Sequence, residues 1–97
     1  MIAKHGKDAI EWLQKRNDIV AVITDIQMPV MDGIELIKYM RLHEEYRYIA
    51  ILANTQYGEP EQEERLLELG ADDFIYKPLT PVIIRKRLEN VLQKYRF

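Results

Sequence analysis

The chain has 97 residues, of which 47% are hydrophobic and 31% are charged, and this length and composition suit a single globular domain. It contains no cysteine, which excludes a disulfide framework, a thiolate metal site and a cysteine nucleophile, so a reducing compartment, the cytoplasm, is expected. The net charge of -2 offers no general attraction to nucleic acid, and no apolar run approaches the roughly 20 residues of a membrane-spanning helix, so neither is expected as a partner.

The first half of the chain predicts a helix, a buried strand and a second helix. Apolar residues at helical spacing predict the first helix over 8–16. Residues 19–24 form an apolar run rich in Ile and Val, which is typical of a strand buried on both faces of a parallel sheet. This run ends on Asp25. A second amphipathic helix follows Gly33 and is predicted to end near His43.

The second half of the chain repeats the alternation. Residues 48–53 predict a second buried strand. Pro60 suits the first position of the next helix and Gly70 suits its C-terminal cap, and the buried side of that helix is predicted to be formed by Leu66, Leu67 and Leu69.

A third strand and a last helix complete the pattern. Residues 73–76 predict the strand, and Thr80 is expected to cap the helix with Pro81 at its first position. The helix carries an apolar stripe made by Ile84, Leu88, Val91, Leu92 and Tyr95. Strands that alternate with helices predict an α/β fold with a parallel sheet between helical layers.

Three polar residues follow the three predicted strands: Asp25, Thr55 and Lys77. Because the carboxyl ends of parallel strands lie at one edge of the sheet, we expect these residues to converge there. A carboxylate, a hydroxyl and an ammonium suit phosphoryl transfer, as nucleophile, hydrogen-bond donor and cationic clamp. Taken singly, each also has an ordinary interpretation: a turn-capping acid, a turn hydroxyl and a solvated lysine.

Two motifs resemble the receiver domain of two-component response regulators. The first is Asp25-Ile26-Gln27-Met28-Pro29-Val30-Met31-Asp32-Gly33, of the form D-x-x-M-P-x-x-D-G, and the second runs from Gly70 to Pro78 and includes Phe74 and Lys77. The resemblance covers nearly the whole chain. It implies a three-layer α/β/α flavodoxin-like fold and a single receiver domain over residues 1–97.

The resemblance also implies a role for each site residue. Asp25 is the phosphoacceptor, Thr55 the switch hydroxyl, Lys77 the lysine that contacts the phosphate, and Phe74 the aromatic that changes rotamer with signalling state, although Phe74 is equally consistent with ordinary core packing. Asp25 and the backbone carbonyl of Gln27 match two ligands of the family's Mg²⁺. The implied partner is a histidine kinase or a phosphotransfer protein.

The sequence departs from the family pattern at its start. A receiver opens with a strand that ends in two acidic residues and is followed by a helix; neither is found here, so the domain is expected to be incomplete at its N-terminus and its Mg²⁺ site to lack the acidic pair. In the family that strand lies beside the one ending in Asp25. We therefore expect an open strand edge there, through which the chain self-associates.

Three functions remain open at this stage. The first is a phosphorylation-controlled signalling module of a two-component system, and the second is a receiver-fold interaction module that is never phosphorylated because the acidic pair is missing. The third is a small aspartate-dependent phosphatase, which is disfavoured because no second catalytic acid is placed near Asp25. The prediction is therefore that the protein is not an enzyme.

Overall fold

The computed structural model describes residues 2–3, 6–25, 33–55, 60–76 and 80–95. The elements in chain order are β1 (Ile2–Ala3), α1 (Gly6–Lys15), β2 (Ala21–Asp25), α2 (Gly33–Leu42), a 3₁₀ turn (Glu44–Tyr46), β3 (Ala50–Thr55), α3 (Pro60–Leu69), β4 (Asp73–Tyr76), α4 (Pro81–Leu92) and a final 3₁₀ turn (Gln93–Tyr95). Each predicted helix and strand is present, and the predicted bounds of β4 match those observed.

The strands form one parallel sheet in the order β1-β2-β3-β4. The register places Asp25 of β2 opposite Asn54 of β3, and Thr55 of β3 opposite Tyr76 of β4. Strand β1 was not anticipated. It pairs with Ile23 and Thr24, so the expectation of a fully open edge along β2 is wrong: β1 occupies part of that edge because an extended backbone satisfies its hydrogen bonds there.

Helices cover both faces of the sheet, which confirms the predicted three-layer α/β/α flavodoxin-like fold. Apolar side chains of α1, α2 and α3 pack with Val22, Ile51 and Ala53 on one face. Val91 of α4 packs with a second set on the other face, formed by Ala21, Ile23, Ala50, Leu52 and Ile75. This division follows from the alternation of side chains along each strand.

The end of α3 shows how local chemistry fixes a helix boundary. Gly70 adopts a φ of +119°, the Gly70 amide donates to the carbonyl of Leu67, and the Ala71 amide donates to that of Leu66. This is the Schellman arrangement that a C-terminal glycine permits. One prediction for this helix is wrong: Leu66 is buried, whereas Leu67 is 48% exposed because it lies on the solvent side of the helix.

An ion pair joins separate elements at the amino ends of β3 and β4. The Arg41 guanidinium donates to the carbonyl oxygens of Gly70 and Ile49 and to the Asp72 carboxylate, at 2.9, 3.0 and 3.1 Å. Asp72 also accepts from the Ile51 amide at 2.8 Å and from the Tyr95 hydroxyl. We call these groups the Arg41–Asp72 network; they connect α2, the starts of β3 and β4, and the final 3₁₀ turn.

Candidate functional site

Asp25 lies at the carboxyl end of a buried strand, as the sequence predicts. It is the last residue of β2 and is half-buried, with β1 on one side of the strand and β3 on the other. The backbone carbonyl of Asp25 accepts a hydrogen bond from the hydroxyl of Thr24 at 3.1 Å. The carboxylate therefore stands at the edge of the sheet where open α/β folds bind ligands.

Thr55 and Phe74 lie on the two strands that follow. The backbone of Thr55 ends β3, one residue beyond the partner of Asp25, so these two strand ends are neighbours as expected. Phe74 is half-buried in β4, opposite Ala53, and packs against the apolar cluster under α1, α2 and α3. These positions suit the predicted roles, which remain predictions.

Two predicted site residues, Lys77 and Gln27, lie outside the described residues. Lys77 directly follows Tyr76, the last residue of β4, and Gln27 is two residues beyond the end of β2. Their assignments as phosphate contact and carbonyl ligand stay predictions.

Asn54 lies next to Asp25 in the sheet, and sequence reasoning did not single it out. It is 7% exposed, and its side-chain oxygen Oδ1 accepts no hydrogen bond from the described part of the chain. The register places Asn54 directly beside Asp25. The available signal was a polar residue that ends the apolar run of β3, but its meaning depends on the register, which the sequence alone does not reveal.

The ligands that this edge offers to Mg²⁺ are few. Over the described ranges no three His, Cys, Asp or Glu side chains group together in a way that could hold a metal ion. Asp25 supplies a carboxylate, and Asn54, its register partner on β3, carries a second hard oxygen in its buried Oδ1. Mg²⁺ binds through one or two carboxylates and keeps several waters, so these residues fit a cation site that relies on little protein charge.

No helix in the described ranges is long and apolar enough to cross a membrane.

Comparison with known proteins identifies the class to which this fold and edge belong. The sequence model of the response regulator receiver domain matches residues 1–89. A chemotaxis protein CheY homolog of Campylobacter jejuni is 37% identical over 90 residues, which are 93% of this chain and 69% of the relative. The chemotaxis protein CheY1 of Helicobacter pylori is 36% identical over 90 residues, which are 93% of this chain and 73% of the relative.

Solved structures agree with the sequence relatives. The chemotaxis protein CheY4 of Vibrio cholerae superposes with a TM-score of 0.84 at 33% identity, over 93% of this chain and 74% of that one. A response regulator from Chloroflexus aurantiacus gives a TM-score of 0.83 at 32% identity, over 94% of this chain and 74% of that one. The protein is thus a flavodoxin-like α/β protein of two-component signalling. It belongs to the response regulator receiver domain family.

Proposed function

We propose that this chain is a phosphorylation-controlled signalling module in which Asp25 accepts a phosphoryl group from the phosphohistidine of a histidine kinase or phosphotransfer protein. The observation that carries the proposal is the position of Asp25: a partly buried acid at the carboxyl edge of the sheet, on the strand next to the one that ends at Thr55. A cytoplasmic location, where such a kinase domain would meet it, is part of the proposal.

The transfer step uses the Asp25 carboxylate as nucleophile. One carboxylate oxygen attacks phosphorus and forms the acyl phosphate bond, while the bond between phosphorus and the donor imidazole nitrogen breaks. That nitrogen keeps the electron pair, and the imidazole is left neutral or takes a proton from solvent. Lys77 stabilises the charge on the equatorial phosphoryl oxygens. Asp25 and the carbonyl of Gln27 would hold Mg²⁺, which would supply further neutralisation of this charge.

The phosphorylated state is read through Thr55 and Phe74. The Thr55 hydroxyl donates to a phosphoryl oxygen, and Phe74 changes rotamer in the space that this movement leaves. Because Phe74 packs against the cluster beneath α1, α2 and α3, its rearrangement alters the surface formed by α3, β4 and α4. A partner that binds this surface would distinguish the two states.

Incubation with a small acyl phosphate and Mg²⁺, followed by intact-mass measurement, tests the proposal. The wild type gains one phosphoryl group, which hydroxylamine removes, and Asp25→Ala does not. Asp18→Ala is the matched control, because Asp18 is an exposed acid paired with Arg16, away from the carboxyl edge. An unmodified wild type, or a modified Asp25→Ala, contradicts the assignment.

A second candidate function is a receiver-fold interaction module that is not phosphorylated. The observation that favours it is the lack of a three-membered acidic cluster within the described ranges. On this alternative the wild type takes up no phosphoryl group from either the acyl phosphate or a phosphorylated kinase, and partner binding is the same with Asp25→Ala. The same mass measurement therefore separates the two functions.

We also propose that the chain self-associates through the edge of the sheet formed by β1 and β2. Among the described residues, the two-residue strand β1 pairs with Ile23 and Thr24 of the five-residue strand β2. Strand edges of this kind pair with other chains.

A further inference from the structure

The side chain of Asn54 presents a buried oxygen that lacks a donor. The residue is 7% exposed, and therefore more than nine-tenths buried. Its Oδ1 accepts no hydrogen bond from the described residues. Buried acceptors in native proteins are paired with protein, water or an ion, because an unsatisfied carbonyl loses its hydration without compensation. Asn54 therefore requires a partner from outside the described chain.

The neighbours of Asn54 indicate what kind of partner fits. On one side the register places Ile75, which is 1% exposed and offers no donor. On the other side it places Asp25. By the alternation of β2 and β3, Asp25 and Asn54 belong to the same face of the sheet, the face of Ile23 and Leu52.

Two oxygen-bearing side chains at paired positions of neighbouring strands, on the same face of the sheet and one of them charged, favour a cation that both can reach. We infer that Asn54 Oδ1 is, with the Asp25 carboxylate, a protein ligand of a divalent cation at this edge, a role that rests on the proposed phosphoacceptor site. Oxygen donors suit Mg²⁺, which accepts few protein ligands and completes its shell with water. An amide adds no negative charge, so the site binds weakly and depends on Asp25.

Asn54→Leu is the decisive variant, because it keeps the approximate shape of the side chain and removes the oxygen. Metal binding is measured with ¹⁵N-labelled protein, using Mn²⁺ as the probe and the broadening of the Asp25 and Asn54 amide signals as the readout, and with Mg²⁺ as the competitor. We expect the variant to need about 10-fold more Mn²⁺ for the same broadening at Asp25, the lower end of the range for losing a group that supports a metal site. Asn54→Asp, which adds a carboxylate, should bind more tightly.

Thermal unfolding in the absence of metal distinguishes a ligand from a structural residue. Removing an unsatisfied buried oxygen relieves its desolvation, so the metal-free Asn54→Leu protein should melt at a higher temperature than the wild type. An Asn54 whose amide instead donates to Asp25 would give a lower melting temperature and unchanged Mn²⁺ broadening. That pair of results would overturn the inference.

Asn90 provides the matched control, since it is exposed on α4. Asn90→Leu should leave the broadening unchanged, and Asn90→Asp measures the effect of one added charge at a distance. If Asn54→Asp strengthens binding no more than Asn90→Asp, Asn54 is not a ligand. Absence of broadening at Asp25 and Asn54 in the wild type also refutes the inference.

The phosphoacceptor role of Asp25 and the ligand role of Asn54 can be refuted independently of each other. A wild type that binds Mn²⁺ through Asn54 but takes up no phosphoryl group keeps the cation site and refutes the phosphoacceptor function. A wild type that is phosphorylated on Asp25, with metal affinity unaffected by Asn54→Leu, keeps the function and refutes the ligand role.

Discussion

At the residue scale, Arg41 makes the most polar contacts to separate segments. Its guanidinium reaches the carbonyl oxygens of Gly70, Arg47 and Ile49 as well as the carboxylate of Asp72. The side chains of Arg41 and Asp72 are 20% and 7% exposed. A flexible ammonium cannot reproduce this planar set of donors, so lysine is not an equivalent replacement.

Arg41→Ala should lower the free energy of unfolding by about 3 kcal/mol, because the partly buried pair with Asp72 is broken and the carbonyl oxygens of Gly70 and Ile49 lose the guanidinium as a donor. Urea unfolding measures the loss. Arg47→Ala is the control: Arg47 pairs with Glu44 at 3.8 Å on the surface, and its removal should cost less than about 1 kcal/mol. Equal losses for the two variants would show that the network contributes no more than a surface ion pair.

Tyr95 makes the free energy of unfolding depend on pH in the alkaline range. Burial, and then the hydrogen bond and charge of Asp72, raise the pKa of Tyr95 above its ordinary value of 10.0. The unfolded chain therefore loses this proton at a lower pH than the folded chain, so the stabilisation is complete below about pH 10 and is lost as pH rises through the folded pKa. Burial also raises the pKa of Tyr46, which acts in the same direction.

Tyr95→Phe should destabilise the protein by about 1–2 kcal/mol at neutral pH, because Asp72 loses a hydroxyl donor. It should also make the fall in stability above about pH 10 shallower, since one of the two contributing phenols is gone. Urea unfolding from neutral to alkaline pH measures both effects. Tyr48→Phe controls for loss of a hydroxyl from an exposed ring; an unchanged alkaline slope in Tyr95→Phe contradicts the assignment.

At the element scale, α3 ends where it does because Gly70 accepts a left-handed backbone. A Cβ at this position would overlap Cγ of Arg41, and Arg41 is held in place by the network. Gly70→Ala should therefore cost about 2–3 kcal/mol, from backbone strain and from displacement of Arg41. In the background of Arg41→Ala the cost should be smaller, because the clash is removed. Additive losses in the double variant, by urea unfolding, would show that the two residues do not interact.

The start of α4 is stabilised by a weaker interaction, a side-chain cap. The Thr80 hydroxyl accepts a hydrogen bond from the Ile83 amide at 3.3 Å, and Pro81 lacks the amide that would otherwise need a partner. Thr80→Ala should cost about 1 kcal/mol, whereas Thr80→Ser, which retains the acceptor, should cost less. Thermal unfolding of the two variants compares them; equal losses would contradict the capping role.

Helix boundaries marked by particular residues could be predicted from the sequence. Features that depend on packing or pairing between distant segments could not. Pro60, Gly70 and Thr80 mark helix boundaries through backbone chemistry that is legible in the sequence. The burial of Leu66 and exposure of Leu67 depend on how α3 rotates against the sheet. Strand β1 has two residues, too few for a periodic pattern, and forms because β2 offers it a partner.

The candidate site shows the same division. Asp25 and Thr55 were predictable because strand ends are visible as breaks in apolar runs. The pairing of Asn54 with Asp25 was not predictable, because only the register of β2 and β3 reveals it. The Arg41–Asp72 network was missed for a similar reason: its two charged residues are 31 positions apart in the sequence.

At the scale of the whole molecule, the two faces of the sheet are covered unequally. Three helices pack on one face, whereas α4 supplies the helical packing recorded on the other. Buried apolar residues of β2, β3 and β4 thus depend on one helix, whose only buried side chain is Val91. Val91→Ala should consequently destabilise the domain by about 1–3 kcal/mol, measured by urea unfolding, and the exposed Val82→Ala, on the same helix, should have little effect.

The proposed self-association of the chain would take place at the sheet edge formed by β1 and β2. Strand β1 is paired with Ile23 and Thr24 in the carboxyl half of β2, while Val20, just before the strand, is apolar and 63% exposed. A second chain that pairs along this edge would bury Val20 and extend the sheet. Natural edge strands often carry charged residues that prevent such pairing between chains. Light scattering at micromolar concentration should therefore give a mass above that of one chain.

Val20→Lys tests this edge directly, because a charge at its amino end opposes burial in a neighbouring sheet. We expect the variant to shift the measured mass toward that of one chain. Val82→Lys, which places the same charge on an exposed valine of α4, is the matched control and should leave the mass of the assembly unchanged. A single-chain mass for the wild type refutes self-association, and an equal response of both variants shows that the contact does not lie at the edge of β1 and β2.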